Sequence, residues 1–125
     1  MDVTKINVLV LAYLGDSLYE SRVREYLIKK NIGNVNDLQK ESLNYVSAKS
    51  QARILQDLLD NNILTEEEIV VIKRGRNHKG SRHPKSCDVV TYKYATAFET
   101  LIGCLYLENK NDRIDEIMKR IFEEV

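Results

Sequence analysis

Apolar residues recur at helical spacing near the start of the chain. Val8, Leu11, Leu14, Leu18, Tyr19, Val23, Tyr26 and Leu27 form one stripe, with Arg22, Arg24, Glu25, Lys29 and Lys30 opposite. This pattern dictates a long helix whose apolar face must be covered by other elements. In the middle of the stripe, within L-A-Y-L-G-D-S-L-Y-E (residues 11–20), stand Gly15 and Asp16. A carboxylate beside a buried face is costly unless it is paired, hydrogen-bonded or holding a cation. A helix-interior glycine costs roughly 1 kcal/mol against alanine, so a close approach by another group is expected to compensate for it. Two locally unfavourable choices side by side mark a functional site. The bland alternative is a surface aspartate on a glycine-softened helix.

The rest of the chain extends the helical reading. One proline and five glycines in 125 residues leave little room for hairpins, and the length suits a single domain over residues 1–125. The fold class expected is all-α. A first helix spans residues 5–30, closed by Asn31-Ile32-Gly33-Asn34. A second spans 35–46, with Asn36 as a cap and Leu38, Leu43 and Val46 inward. Ser47 caps a third, to about residue 61, which packs Ile54, Leu55, Leu58 and Leu59 and turns Lys49, Gln51 and Arg53 to its polar side. Thr65 and Glu68 form a capping box for a fourth that runs through Ile69, Val70 and Ile72. Asp88 caps a strongly apolar fifth helix over residues 89–108, and an amphipathic helix over 112–124 closes the chain.

Charge is balanced in total, 19 basic against 19 acidic residues, but not in distribution. Residues 73–85 read K-R-G-R-N-H-K-G-S-R-H-P-K, with no acid. Two glycines, a serine and the only proline mark a loop. A solvated linker has no need to be uniformly basic, so this stretch is a footprint for a polyanion such as nucleic acid. His78 and His83 lie in it without a third ligand, which argues against a metal there. Cys87 and Cys104 are too few for a disulfide framework or zinc site and read as thiols of a reducing compartment. The N-terminus lacks the features of a signal peptide, and no apolar run approaches the roughly 20 residues that span a bilayer. A soluble, cytoplasmic protein without a membrane partner is expected.

Glu99 repeats the puzzle of Asp16, since Phe98, Leu101 and Ile102 surround it in sequence. Two inward-leaning carboxylates on separate apolar helices offer the hard oxygen ligands that Mg²⁺ or Mn²⁺ uses, completed by water and substrate phosphate. With the basic stretch to hold a phosphate backbone, the residues alone point to metal-dependent phosphodiester hydrolysis on nucleic acid.

The opening stretch also resembles the signature helix of the ribonuclease III catalytic domain, and A-T-A-F-E-T-L-I-G-C-L-Y-L (residues 95–107) resembles that family's second motif. The motifs occur in the family's order, and with the helices between them they cover nearly the whole chain. A catalytic domain without a double-stranded-RNA-binding domain, carrying R-G-R-N-H-K in its basic stretch, is most similar to the shortened Mini-ribonuclease III (Mini-III) subclass. The resemblance implies an all-helical homodimer that cleaves double-stranded RNA with Mg²⁺, leaving 5′-phosphate and 3′-hydroxyl ends. The subclass implies maturation of the large-subunit (23S) ribosomal RNA precursor, with a ribosomal protein as a candidate helper.

Residue by residue, Asp16 matches the family's catalytic, metal-binding aspartate and Glu99 its metal-binding glutamate. Two departures stand out. The larger family usually carries a glutamate where this chain has Ala12 and an aspartate where it has Thr96, so four acids become two. Weaker metal binding is the expected result. Glu20, one turn after Asp16, is a candidate for the cation's outer shell, or a solvated partner of Arg24. Tyr13 and Tyr94 read as core or dimer-interface aromatics. Arg74, Arg76 and Lys79, then Lys85 and Lys49, are the expected RNA contacts. The competing readings are a catalytically silent ribonuclease-III-like domain that binds structured RNA or a ribosomal partner, and a small helical DNA-binding module.

Overall fold

The structure is a computed structural model that describes residues 1–78, 85 and 87–124. After a 3-10 turn at Val3–Lys5 come six helices: α1 Val8–Lys29, α2 Val35–Val46, α3 Ala48–Asp60, α4 Glu66–Arg76, α5 Val89–Leu107 and α6 Asn111–Glu124. No strand occurs among the described residues.

α5 is the axis of the molecule. From Ala95 to Leu105 every residue except the half-buried Glu99 is buried, because α1, α3, α4 and α6 all pack against it. An all-round apolar sequence is what such a central helix requires. Around it Tyr19, Val23, Leu55, Leu58, Ile72, Ile117 and Ile121 join Phe98, Leu101 and Ile102 in one core. Tyr19 meets Phe98 edge to face, 4.9 Å between ring centroids, and its hydroxyl donates to the Tyr45 carbonyl oxygen at 2.8 Å. α6 is fastened by Arg113, which donates to both carboxylate oxygens of Glu68 and to the Ile63 carbonyl, each within 2.8 Å. Burial pulls the Glu68 carboxyl upward, but the hydrogen bonds from Arg113 and Thr65 and the Arg113 charge together outweigh it and hold the group below its ordinary value.

The capping residues explain where the helices stop and start. Ser47, Thr65 and Asp88 cap α3, α4 and α5 as their positions predict, and Thr65 with Glu68 closes the capping box in both directions. Asn31, Asn62 and Asn109 follow the C-caps of α1, α3 and α5 with φ of 66°, 53° and 61°. Asparagine is the residue that takes this left-handed position most readily after glycine. At the second and third of these ends the next amide reaches back to close the turn, Ile63 to the Leu58 carbonyl and Lys110 to the Leu105 carbonyl.

Four expectations are corrected. The first helix starts at Val8, not residue 5, because the Asn7 side chain accepts from the Leu9 amide and Val3–Lys5 forms its own turn capped by Asp2. Asn34, not Asn36, caps α2. Leu43 is 58% exposed, since the inner face of α2 runs through Leu38, Ser42, Tyr45 and Val46. The fourth helix continues to Arg76, so Lys73, Arg74 and Arg76 belong to its last turn and not to a loop. Gly75 permits this: a side chain there would come within 2.8 Å of the Ala97 Cα, so α4 and α5 pack backbone to backbone. Basic residues in the last turn also suit the helix dipole.

Candidate active site

The site is built on the crossing of α1 and α5, where two glycines face each other. A Cβ on Gly15 would lie 1.8 Å from the carbonyl oxygen of Glu99, and one on Gly103 would lie 2.1 Å from the carbonyl oxygen of Leu11. Only glycine fits at either place. The close approach expected at Gly15 is therefore made, and it is made to Glu99 itself. The residue after Gly15 is thereby brought beside the Glu99 side chain.

Asp16 and Glu99 form a hydrogen-bonded carboxyl pair. Two such groups hold one proton between them when both cannot ionise. Glu99 carries it: burial, then the bond to Asp16 and the Asp16 charge, push its carboxyl up to about 8. Glu20 adds to the negative field from one turn along α1, with Arg24 in contact at 3.5 Å. The pair and Glu20 are half-buried, so they sit at a surface and not in the closed core.

Gln51 lies beside Glu99, although the sequence pattern turned it to the polar side of its helix. It is 2% exposed, and its amide lies within hydrogen-bonding reach of Glu99. The Gln51 Nε2 donates to the Val46 carbonyl at 3.1 Å. Its Oε1 is, among the described residues, the one buried side-chain nitrogen or oxygen without a hydrogen-bond partner. The signal was present in the spacing, since Gln51, Ile54, Leu55 and Leu58 share one face.

The positions where the larger family carries further acids are filled by Ala12, 7% exposed, and Thr96, 5% exposed. Among the described residues no group of three or more His, Cys, Asp and Glu side chains is arranged to hold a metal ion. What fits a hard divalent cation here is the oxygens of two adjacent carboxyls, a donor chemistry that Mg²⁺ and Mn²⁺ accept.

The basic residues are more dispersed. Arg74 is half-buried and donates to the Ile6 carbonyl at 3.1 Å, tying the N-terminal turn to α4. Arg76 is half-buried beside Asn77, Lys85 and Lys49 are exposed, and Lys79 lies outside the described residues. Lys49 stands two residues before Gln51, on the first turn of α3. Tyr13 is 82% exposed and Tyr94 half-buried.

An all-helical domain with a carboxyl pair at its central crossing now meets its relatives. The profile of the Ribonuclease III domain matches residues 9–110, and the chain belongs to that family as an endoribonuclease. It is 49% identical over 116 residues to the Mini-ribonuclease 3 of Brevibacillus brevis, covering 93% of this chain and 85% of that one. The Mini-ribonuclease 3 of Enterococcus faecalis is 42% identical, with 99% and 94% covered. A crystal structure of a Fusobacterium nucleatum protein superposes with a TM-score of 0.88 at 35% identity, covering 98% of each chain. Among the described residues no helix is long and apolar enough to cross a membrane.

Proposed function

We propose that this endoribonuclease cleaves double-stranded RNA at a centre formed by Asp16 and Glu99 with Mg²⁺, for which Mn²⁺ can substitute, and that it matures the 23S ribosomal RNA precursor in the cytoplasm. The observation that carries the reading is the half-buried carboxyl pair, held together by the glycine crossing and sharing a proton that a cation would displace. The cation supplies water activation and neutralises phosphate charge. Asp16 and Glu99 hold it, and Glu99 must give up its proton to do so, so cation binding tightens as pH rises toward about 8. Glu20 supports the cation's outer shell and keeps Arg24 oriented.

Arg76, Lys79, Lys85 and Lys49 bind the RNA backbone, with Arg74 contributing the guanidinium donors that Ile6 does not occupy. The active form is a homodimer. Val10, 56% exposed, and Tyr13, 82% exposed, lie one turn apart on α1, and Val70 on α4 is 60% exposed; large apolar groups in water fit a surface covered by a second copy.

Incubation with structured precursor RNA, with and without Mg²⁺, followed by mapping of the ends, tests the proposal. Staggered cuts with 5′-phosphate ends are expected from the parent. Asp16→Asn and Glu99→Gln should bind the RNA and lower cutting at least a hundredfold. A parent that cuts no structured RNA with Mg²⁺ or Mn²⁺ at low salt, and binds it no differently from these variants, would make the domain a silent binder.

A further inference from the structure

We infer that Arg24 binds a backbone phosphate of the RNA substrate close to the carboxyl pair, and that the strand lies in a groove along the outer face of α1. The inference rests on the reading of Asp16 and Glu99 as the cutting centre and names a substrate contact for it. Asp16, Glu20 and Arg24 follow one another at intervals of four, so they share one stripe of α1. Over those eight residues the helix rises about 12 Å. Side chains on a helix lean toward its N-terminus, and Arg24 does so. Its Nη2 lies 3.5 Å from the Glu20 Oε2, which brings the guanidinium back toward Asp16. Beside this stripe the surface is concave: a groove of about 580 Å³ is lined by Ser17, Glu20, Ser21, Arg24, Ile28 and the Glu25–Lys29 pair. The two serines are small, so a strand seated at Asp16 can run close along the helix.

The other arginine–carboxylate pairs hold the fold. Arg22 on α1 reaches Asp115 on α6, Arg113 on α6 reaches Glu68 on α4, and Arg120 on α6 reaches Asp57 on α3, so each fastens two helices together. Arg24 meets, among the described residues, only a carboxylate of its own helix, and the fold gains no tie from it. Its side chain is 74% exposed, and the contact with Glu20 engages one nitrogen of a fork that carries five N–H donors. An exposed pair one turn apart is weak, whereas guanidinium and phosphate meet through two parallel, charge-assisted bonds. A phosphate that enters the groove therefore takes Arg24 from Glu20.

The test is duplex-RNA binding by the full chain in a chelator, where nothing is cut, across a salt series. Arg24→Met, of similar length without the charge, should weaken binding about three- to tenfold and lower the slope of log affinity against log salt by roughly 0.7–0.9, the share of one phosphate contact. Arg24→Lys, which keeps the charge, should keep the parent's slope. A Glu20→Gln background separates phosphate contact from simple neutralisation of Glu20, because there Arg24→Met should still lower the slope by the same amount. Should Arg24→Met fail to fold, Arg24→Gln is judged by the same slope. Binding within twofold of the parent with an unchanged slope overturns the assignment and leaves the carboxyl pair standing. So does a loss that vanishes in the Glu20→Gln background, or one that Arg24→Lys shares in full. A parent that does not bind duplex RNA at low salt overturns the reading of the site, and this inference with it.

Discussion

At the scale of single residues, two carboxyls drawn out of water, Glu68 in the core and the half-buried Glu99 at the site, have opposite consequences for pH. Glu99 is raised to about 8 from an ordinary 4.5. Between those values folded Glu99 holds a proton that the unfolded chain releases, so the contribution of this group to stability is fully present below about 4.5 and is lost as pH rises through about 8. Urea unfolding in a chelator should show this decline, and Glu99→Gln should remove it. Glu68 is lowered by Arg113 and Thr65 together against the pull of burial, so its contribution is present above the ordinary glutamate value of 4.5 and is lost on acidification through its lower folded value. Arg113→Ala strands Glu68, 6% exposed, and also frees the Ile63 carbonyl. It should cost about 3–5 kcal/mol at neutral pH, measured by denaturant unfolding, and the cost should shrink in acid. Sequence showed that Asp16 and Glu99 needed a partner, because a charge in an apolar pattern is conspicuous. It hid Gln51, because a neutral amide at the start of a helix looks like any solvated residue until its spacing to Leu55 and Leu58 is counted.

Helices meet here through missing side chains. Gly15, Gly75 and Gly103 each put backbone against backbone, whereas Gly33 has nothing within 4 Å. Gly15→Ala and Gly103→Ala would each drive a methyl into a carbonyl that cannot move without its helix. Each should destabilise by about 3 kcal/mol or more and separate Asp16 from Glu99. Gly33→Ala should stay within about 0.5 kcal/mol, and thermal unfolding of the three variants checks the contrast. The caps at Ser47, Thr65 and Asp88 were legible because capping is local chemistry. The reach of α4 to Arg76 was not. Glycine among basic residues reads as a turn, and only the partner helix reveals that Gly75 is a contact. Leu43 failed for a related reason, since the inner face of α2 is chosen by Tyr45, packed edge to face against Tyr26 and Phe122.

For the whole molecule, zero net charge leaves attraction to RNA to local clusters. Neutralising Arg74, Arg76 and Lys79 together should weaken duplex-RNA binding and flatten the dependence of log affinity on log salt. Each phosphate left without its cationic partner should lower the slope by roughly 0.7–0.9, read from binding curves across a salt series. The helical class follows from periodicity and the scarcity of proline, which is why it could be read directly, whereas the central place of α5 emerges only from its packing. The proposed homodimer rests on surface residues, and periodicity is blind to these. One consequence of the glycine crossing concerns the making of the protein. Asp16 belongs to α1 and Glu99 to α5, with α2, α3 and α4 between them. During synthesis α1 leaves the ribosome first and waits, its aspartate alone, through most of translation. Only when α5 has emerged and docked across Gly15 do the two carboxyls meet. On the proposed reading of the site, any product that stops before α5 holds Asp16 without Glu99 and so lacks the centre altogether.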